Sequence, residues 1–244
     1  MIYFFDGSTN GFLTAFLTGY HDERARVTSK KTQLTIGDEP YYIKTDERLA
    51  ERAKARLLYF DPECMHDLDL LLRSGDSDSE QTAYLYFKTL AKTGKPVRNM
   101  LSIPAVFSAV EKMRRVGLEV HRLHGFIRFM ETASGALYAP FSPDNDICDL
   151  LLPHFRARLP KYPFVLHDIT RKKCAVYDGK NSFVAPLDKA EVLLSANERE
   201  WQALFTRYFH AVNIPSRERL AQQRNYLPMR YRKFMVETQG EKER

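Results

Sequence analysis

Phe164-Val165-Leu166-His167-Asp168, Lys173-Cys174-Ala175-Val176-Tyr177 and Ser182-Phe183-Val184-Ala185-Pro186-Leu187 are three short runs close together in the second half of the chain. Each is rich in β-branched and aromatic residues, which suit a pleated surface. The spacing predicts strands over Phe164–Thr170, Lys173–Tyr177 and Ser182–Leu187. Asp178-Gly179 joins the last two as a two-residue hairpin signal. Just upstream, Phe126–Glu131 and Ala136–Phe141 flank Ser134-Gly135 and read as another hairpin. Consecutive hairpins predict a central antiparallel sheet of about five strands with helices on one face, hence an α+β fold.

The period changes from two to 3.6 on both sides of this block. A long helix is predicted over Pro104–His124, with proline at its permitted first turn and Gly125 as the stop. At about 100° per residue, Val106, Val110, Met113, Gly117 and Val120 form one stripe, and Glu111, Lys112, Arg115, Glu119 and Arg122 oppose it. Asp146–Leu159 reads as a short amphipathic helix. Ser195-Ala196-Asn197-Glu198 has capping-box spacing before a helix on which Trp201, Leu204, Phe205, Tyr208, Phe209 and Val212 recur. Thr93-Gly94-Lys95-Pro96 marks the internal boundary. It divides a mainly helical part, residues 1–95, from a sheet with C-terminal helices, residues 96–244, the two packed as one compact unit. In the first part a buried strand Ile2–Phe5 leads through Asp6-Gly7-Ser8 into a helix over Gly11–Tyr20. Short strands are expected at Gln33–Ile36 and Tyr41–Thr45. Helices follow from the Asp46 cap, over Pro62–Arg73 and over Glu80–Thr93.

Composition narrows the class. The 244 residues are 44% hydrophobic and 12% aromatic, which fits a folded chain with a real core. A formal charge of +6 favours anionic partners. Cys64, Cys148 and Cys174 are odd in number and widely spaced, so neither a disulfide framework nor a zinc or iron–sulfur motif is expected. No metal and no cofactor are implied. The first residues lack a basic leader, and no run approaches the ~20 apolar residues of a membrane span. A soluble cytoplasmic protein without a membrane partner is expected.

Five groups of residues are candidates for chemistry. His121 and His124 share a helix face and suit a metal site with Glu119, but both lie in the apolar arc and Glu119 does not, which favours packed rings. His167 and Asp168 are neighbours on a strand and point to opposite faces, so they form no direct relay. His167 can still pair with His154 or His121 in a polar cluster. Arg122 and Arg128 bracket the end of the long helix; they either present cations at the sheet rim or neutralise terminal carbonyls. Asp6-Gly7-Ser8 opens a helix and could hold a phosphate, though without a P-loop pattern a capped turn is the better reading. The C-terminal stretch carries the strongest signal. Arg217, Arg219, Arg224, Arg230, Arg232 and Lys233 stand with Tyr226 and Tyr231 against one carboxylate, Glu218. Guanidinium groups suit phosphates and tyrosine rings suit bases.

Phe5-Asp6-Gly7-Ser8, Glu119-Val120-His121-Arg122 with Gly125-Phe126 and Arg128-Phe129, His154-Phe155 with Arg158, His167-Asp168 with Arg171, and Leu227-Pro228 with Arg230-Tyr231 and Lys233 resemble, nearly end to end, an uncharacterised bacterial family. It is labelled "probable DNA metabolism protein", a domain of unknown function. The resemblance implies a radical S-adenosylmethionine (SAM) protein of DNA modification or repair as partner. It also implies a kinship with chains in which the domain is fused to a uracil-DNA-glycosylase-like domain. Arg232 stands where the family commonly has tryptophan, which trades a stacking surface for a charge.

The expectation is a nucleic-acid-binding accessory of DNA repair or modification that presents nucleic acid to the radical SAM partner. Its contacts would be Arg122, Arg128, Arg217, Arg219, Arg224, Arg230, Tyr231, Arg232 and Lys233. One alternative is an enzyme acting on nucleic acid or a nucleotide through His121, His154, His167 and Asp168. Another is a protein-interaction scaffold. DNA and RNA are not distinguished by these residues.

Overall fold

The computed structural model describes residues 1–30, 39–214, 216, 219, 222 and 226–238. They fall into two compact units, Met1–Leu118 and Glu119–Arg244. The strand expected at Gln33–Ile36 lies outside the described residues.

The first unit is built on a small parallel sheet. Strands β1 (Ile2–Phe4), β2 (Arg26–Thr28) and β3 (Pro40–Tyr42) lie in the order β2-β1-β3, with Tyr3 opposite Val27 on one side and Tyr41 on the other. β2 gives almost no sequence signal because three residues are too few to show alternation. After β1 the chain turns through Gly7 at φ +82°, a backbone glycine adopts without strain. The Asp6 carboxylate accepts the Ser8 N–H at 2.9 Å, and Ser8 Oγ caps the next helix by accepting from the Gly11 N–H at 2.9 Å. This is the capped turn the sequence favours. The Ser8 and Thr45 hydrogen bonds hold the Asp6 carboxyl below its usual value, so a negative charge already occupies this helix terminus.

Helices α1 (Thr9–Gly19), α2 (Glu47–Phe60), α3 (Cys64–Arg73) and α4 (Ser79–Thr93) follow. α2 begins where expected, Asp46 accepting from the N–H groups of Arg48 and Leu49. α4 ends on Gly94 at φ +68°, a left-handed cap closed by the Gly94 N–H on the Leu90 carbonyl. The Thr93–Pro96 segment is therefore a turn within the first unit, and the division between units comes later, inside helix α5 (Pro104–Phe126). Phe12, Phe16, Tyr84, Tyr86, Phe87 and Leu90 lead the buried core of this unit.

α5 runs through Gly125, which does not stop it. Its buried positions are Val106, Ala109, Lys112, Met113, Val116, Glu119 and Leu123, while Gly117 and His121 are exposed. The inward face is thus rotated from the sequence stripe, because two charged residues with dedicated partners sit on it. Lys112 donates to Asp76 at 2.9 Å and to Asp78 at 2.8 Å.

The second unit holds a five-stranded sheet in the order β4 (Met130–Glu131), β5 (Leu137–Phe141), β6 (Phe164–Asp168), β7 (Lys173–Tyr177) and β8 (Ser182–Pro186). Helix α6 (Leu152–Arg158) connects β5 to β6, which pair parallel; the other three pairings are antiparallel. The α+β class holds, with a mostly antiparallel sheet. The β7–β8 hairpin forms with Tyr177 opposite Ser182, its turn braced by the Asp178 carboxylate accepting from the Lys180 and Asn181 N–H groups. β4 is shorter than expected, since α5 takes Phe126 and residues 127–129 lie in neither element. Phe155 of α6 packs edge-on to Phe164, and Phe129 contacts both rings. Helices α7 (Glu198–Val212) and α8 (Met229–Arg232) and a 3-10 turn at Val236–Thr238 complete the described chain. No helix of the described residues is long and apolar enough to cross a membrane.

Candidate nucleic-acid interface

Two arrangements in the second unit gather the residues singled out by sequence. The first is a polar network around the loop Pro143–Asp146. Glu119, only 4% exposed, accepts from the backbone N–H groups of Asp144 at 2.9 Å and Asn145 at 2.8 Å. It also accepts the Asn145 side-chain amide at 2.7 Å and the Tyr231 hydroxyl at 2.5 Å. Arg230 reaches Asp144 at 2.6 Å and Glu119 at 3.4 Å. Arg171 pairs with buried Asp168 at 3.2 Å and donates to the carbonyls of Pro143 and Asp144. Lys173 pairs with Asp146. A buried carboxylate is tolerated only with such a complement of donors. Burial, with Glu119 adding to it, pushes the Tyr231 hydroxyl well above its usual range, so it is a fixed donor. Tyr231 is 2% exposed, which makes it a tether rather than an open stacking surface.

The histidines do not assemble. Buried His167 is satisfied by the Tyr138 hydroxyl at Nδ1, 2.6 Å, and the Leu187 carbonyl at Nε2, 3.0 Å. His154 stacks on His124, ring centroids 4.0 Å apart and planes within 12°. Their Nε2 atoms are buried without a hydrogen-bond partner among the described residues. His121 is exposed, contrary to its expected place in the core, because the buried face of α5 is rotated. Among the described residues no contact joins His121, His154 and His167, and no group of three His, Cys, Asp or Glu side chains is placed to hold a metal ion.

The second arrangement is a cleft of about 410 Å³, a size typical of small-ligand sites. Its walls come from the segment joining α5 to β4 (Arg128, Phe129) and from Met130 of β4, from α7 (Glu198, Trp201, Gln202, Phe205) and from Lys233, Phe234 and Val236. α7 is fastened by a device unlike the expected capping box. Ser195 Oγ donates to the Glu131 carboxylate at 3.1 Å, and Glu198 accepts the Glu131 N–H at 2.9 Å and the Gln202 amide at 2.8 Å. The Ser195 and Glu198 side chains thus bind strand β4, while the Glu198 N–H donates to the Ser195 carbonyl at 3.2 Å. Trp201 is 60% exposed and Phe205 38%, and Glu198 is the buried residue of this helix. The apolar stripe of α7 faces outward and into the cleft.

Arg128 takes the carbonyl-neutralising role read from sequence, and its side chain also lines the cleft. Its Nη1 donates to the Gly125 carbonyl at the end of α5 at 2.8 Å, while Nε and Nη2 grip Glu237 at 3.0 and 2.7 Å. The guanidinium is so fixed 5.8 Å from the Phe205 ring. The Lys233 ammonium lies 4.7 Å from the Phe234 ring and has no carboxylate partner among the described residues. Arg122 and Arg232 are half-buried and Arg219 is exposed; none of the three lines the cleft. Arg217 and Arg224 lie outside the described residues. Sequence reading missed Trp201, Gln202, Phe205 and Phe234. The available signal was the chain's single tryptophan on a helical apolar stripe.

Charge is unequal between the two units. The first unit has 17 Lys and Arg against 16 Asp and Glu, net +1, and the second 20 against 15, net +5. Residues 77–237 match the family described as a domain of unknown function, DUF4130, and the chain belongs to that family. The match takes in the Glu119 network and the cleft, and leaves α1, α2 and α3 outside. No curated protein and no solved structure matches the chain.

Proposed function

We propose that this protein is a nucleic-acid-binding accessory of DNA repair or modification, which holds an unstacked base in the cleft beside α7 and presents the strand to a radical SAM partner. The observation that carries the binding reading is the cleft itself. Trp201, Phe205 and Phe234 offer ring faces, and Lys233, with no carboxylate partner among the described residues, supplies positive charge at the same place. Base stacking on an aromatic contributes ~1–3 kcal/mol per base and tolerates any sequence, while the cations attract the backbone. The DNA context and the partner rest on the resemblance of the motif set. The test is a titration with single-stranded, duplex and uracil-containing DNA at several salt concentrations. Single strands bind best under this reading, with affinity falling as salt rises; equal, salt-independent affinities contradict it.

A protein-interaction scaffold is the second reading. The outer side of α7 favours it, since Leu204, Tyr208 and Val212 are 55, 60 and 54% exposed. A Leu204→Glu/Tyr208→Glu variant that loses the partner and keeps nucleic-acid affinity would assign that side to protein.

A further inference from the structure

Helix α2 of the first unit carries a feature that the cleft does not use. Arg48, Arg52 and Arg56 are exposed, four residues apart, and so stand on one face at about 6 Å intervals along the axis. None has a carboxylate partner among the described residues, although Glu47 and Glu51 lie on the same helix and Glu51 instead pairs with Lys54 at 3.6 Å. The Arg56 guanidinium lies 4.5 Å from the Phe60 ring and 5.8 Å from the Tyr59 ring, and Tyr59 is 80% exposed. A hollow of about 590 Å³ opens between Arg52, Arg56, Tyr59 and Leu17.

Stacking on a ring fixes a guanidinium plane and leaves its N–H edges outward. That is the preorganised state in which arginine binds phosphate bidentately. A row of cations at regular spacing matches a polyanion with regularly spaced charges better than a compact anion. A membrane surface is disfavoured, because the apolar face of α2, formed by Ala50, Ala53 and Leu57, is buried in the core and leaves nothing to enter a bilayer.

We propose that the exposed face of α2 is a second, separate nucleic-acid contact, at which Arg48, Arg52 and Arg56 bind phosphodiester groups and Tyr59 offers its ring to a base. The inference rests on the nucleic-acid reading of the protein but not on the cleft. It extends contact to a unit whose net charge of +1 would not suggest it.

The experiment compares the full chain with its Arg48→Gln/Arg52→Gln/Arg56→Gln variant, using a long oligothymidylate. Binding is followed by anisotropy of a labelled strand across a salt series, and the Trp201 emission is read in the same samples. All three positions are exposed, so the variant keeps the wild-type melting temperature. The expected result is weaker binding at low salt, a slope of log affinity against log salt flatter by about 0.7 for each lost phosphate contact, and an unchanged Trp201 response at saturation. Wild-type slope and affinity in the variant would overturn the α2 contact and leave the cleft standing. A normal α2 effect with a silent Trp201 would remove the cleft and keep α2. A wild-type chain that binds no oligonucleotide overturns both, and tighter, arginine-dependent binding of polyglutamate than of oligothymidylate would reassign α2 to an acidic protein.

Discussion

Tyr231 and Trp201 are both aromatic residues in charged company, and the molecule uses them in opposite ways. Tyr231 is buried, its hydroxyl bound to Glu119 and its neighbour Arg230 bound to Asp144. Trp201 is exposed on a helix whose own anchor is Glu198. One region spends its polar groups on each other and fixes a loop; the other leaves rings and a lysine open to solvent. Mixed basic and aromatic composition is therefore a poor guide to a binding surface until partners are counted.

The largest expected effect sharpens the structural side of this contrast. Glu119→Ala removes the acceptor of four hydrogen bonds, from the Asp144 and Asn145 N–H groups, the Asn145 side-chain amide and the Tyr231 hydroxyl. Breaking such a buried ionic arrangement costs ~3–5 kcal/mol, and Tyr231→Phe, which removes one hydrogen bond, about 1 kcal/mol. Thermal melting should rank the two in that order. A Glu119→Ala protein as stable as wild type would break the comparison, because the network would then be dispensable.

On the other side, Trp201→Ala should leave melting unchanged and weaken single-strand binding by ~1–3 kcal/mol with little change in salt slope. Lys233→Gln should act differently and flatten the slope by about 0.7–0.9. If Tyr231→Phe weakened binding more than Trp201→Ala at equal stability, the assignment of the two regions would be reversed.

A smaller effect concerns the stacked pair. Burial holds the His124 ring below its usual value, and His154 and His121 add repulsion. The unfolded chain therefore takes up the proton first. The contribution to stability is complete above the ordinary histidine value of 6.5 and is lost as pH falls through it towards the lower folded value. Melting temperature should drop on acidification, and His124→Asn should flatten that drop. The smallest effect is chemical. Burial pushes the Cys64 and Cys148 thiols up to about 12, so a thiolate-selective reagent should react at these positions only after unfolding. Rapid labelling of the native protein at either position would contradict their packing.

The α+β class, the β7–β8 hairpin and the Asp46 cap were legible in sequence because turn residues and caps act locally. The rotated face of α5 was not, since Lys112 and Glu119 become buried through partners 34 and 26 residues away. A helical wheel sees neither. β2 escaped because parallel pairing is a long-range event between runs of three residues. The parallel join of β5 and β6 escaped for a related reason, as a helix intervenes where consecutive hairpins were read. At the site, Arg128 and Lys233 were found by charge. The aromatic lining was not, because an outward-facing apolar stripe reads like a core stripe.

The central claim is that the cleft beside α7 receives a base, and the chain offers a direct reporter because Trp201 is its single tryptophan. The deciding measurement is a titration with single-stranded oligonucleotide, excited where tyrosine does not absorb, with anisotropy of the labelled strand recorded in parallel. Saturable quenching of Trp201 should follow the binding curve and weaken in Lys233→Gln. Binding seen by anisotropy with Trp201 emission unchanged would contradict the claim.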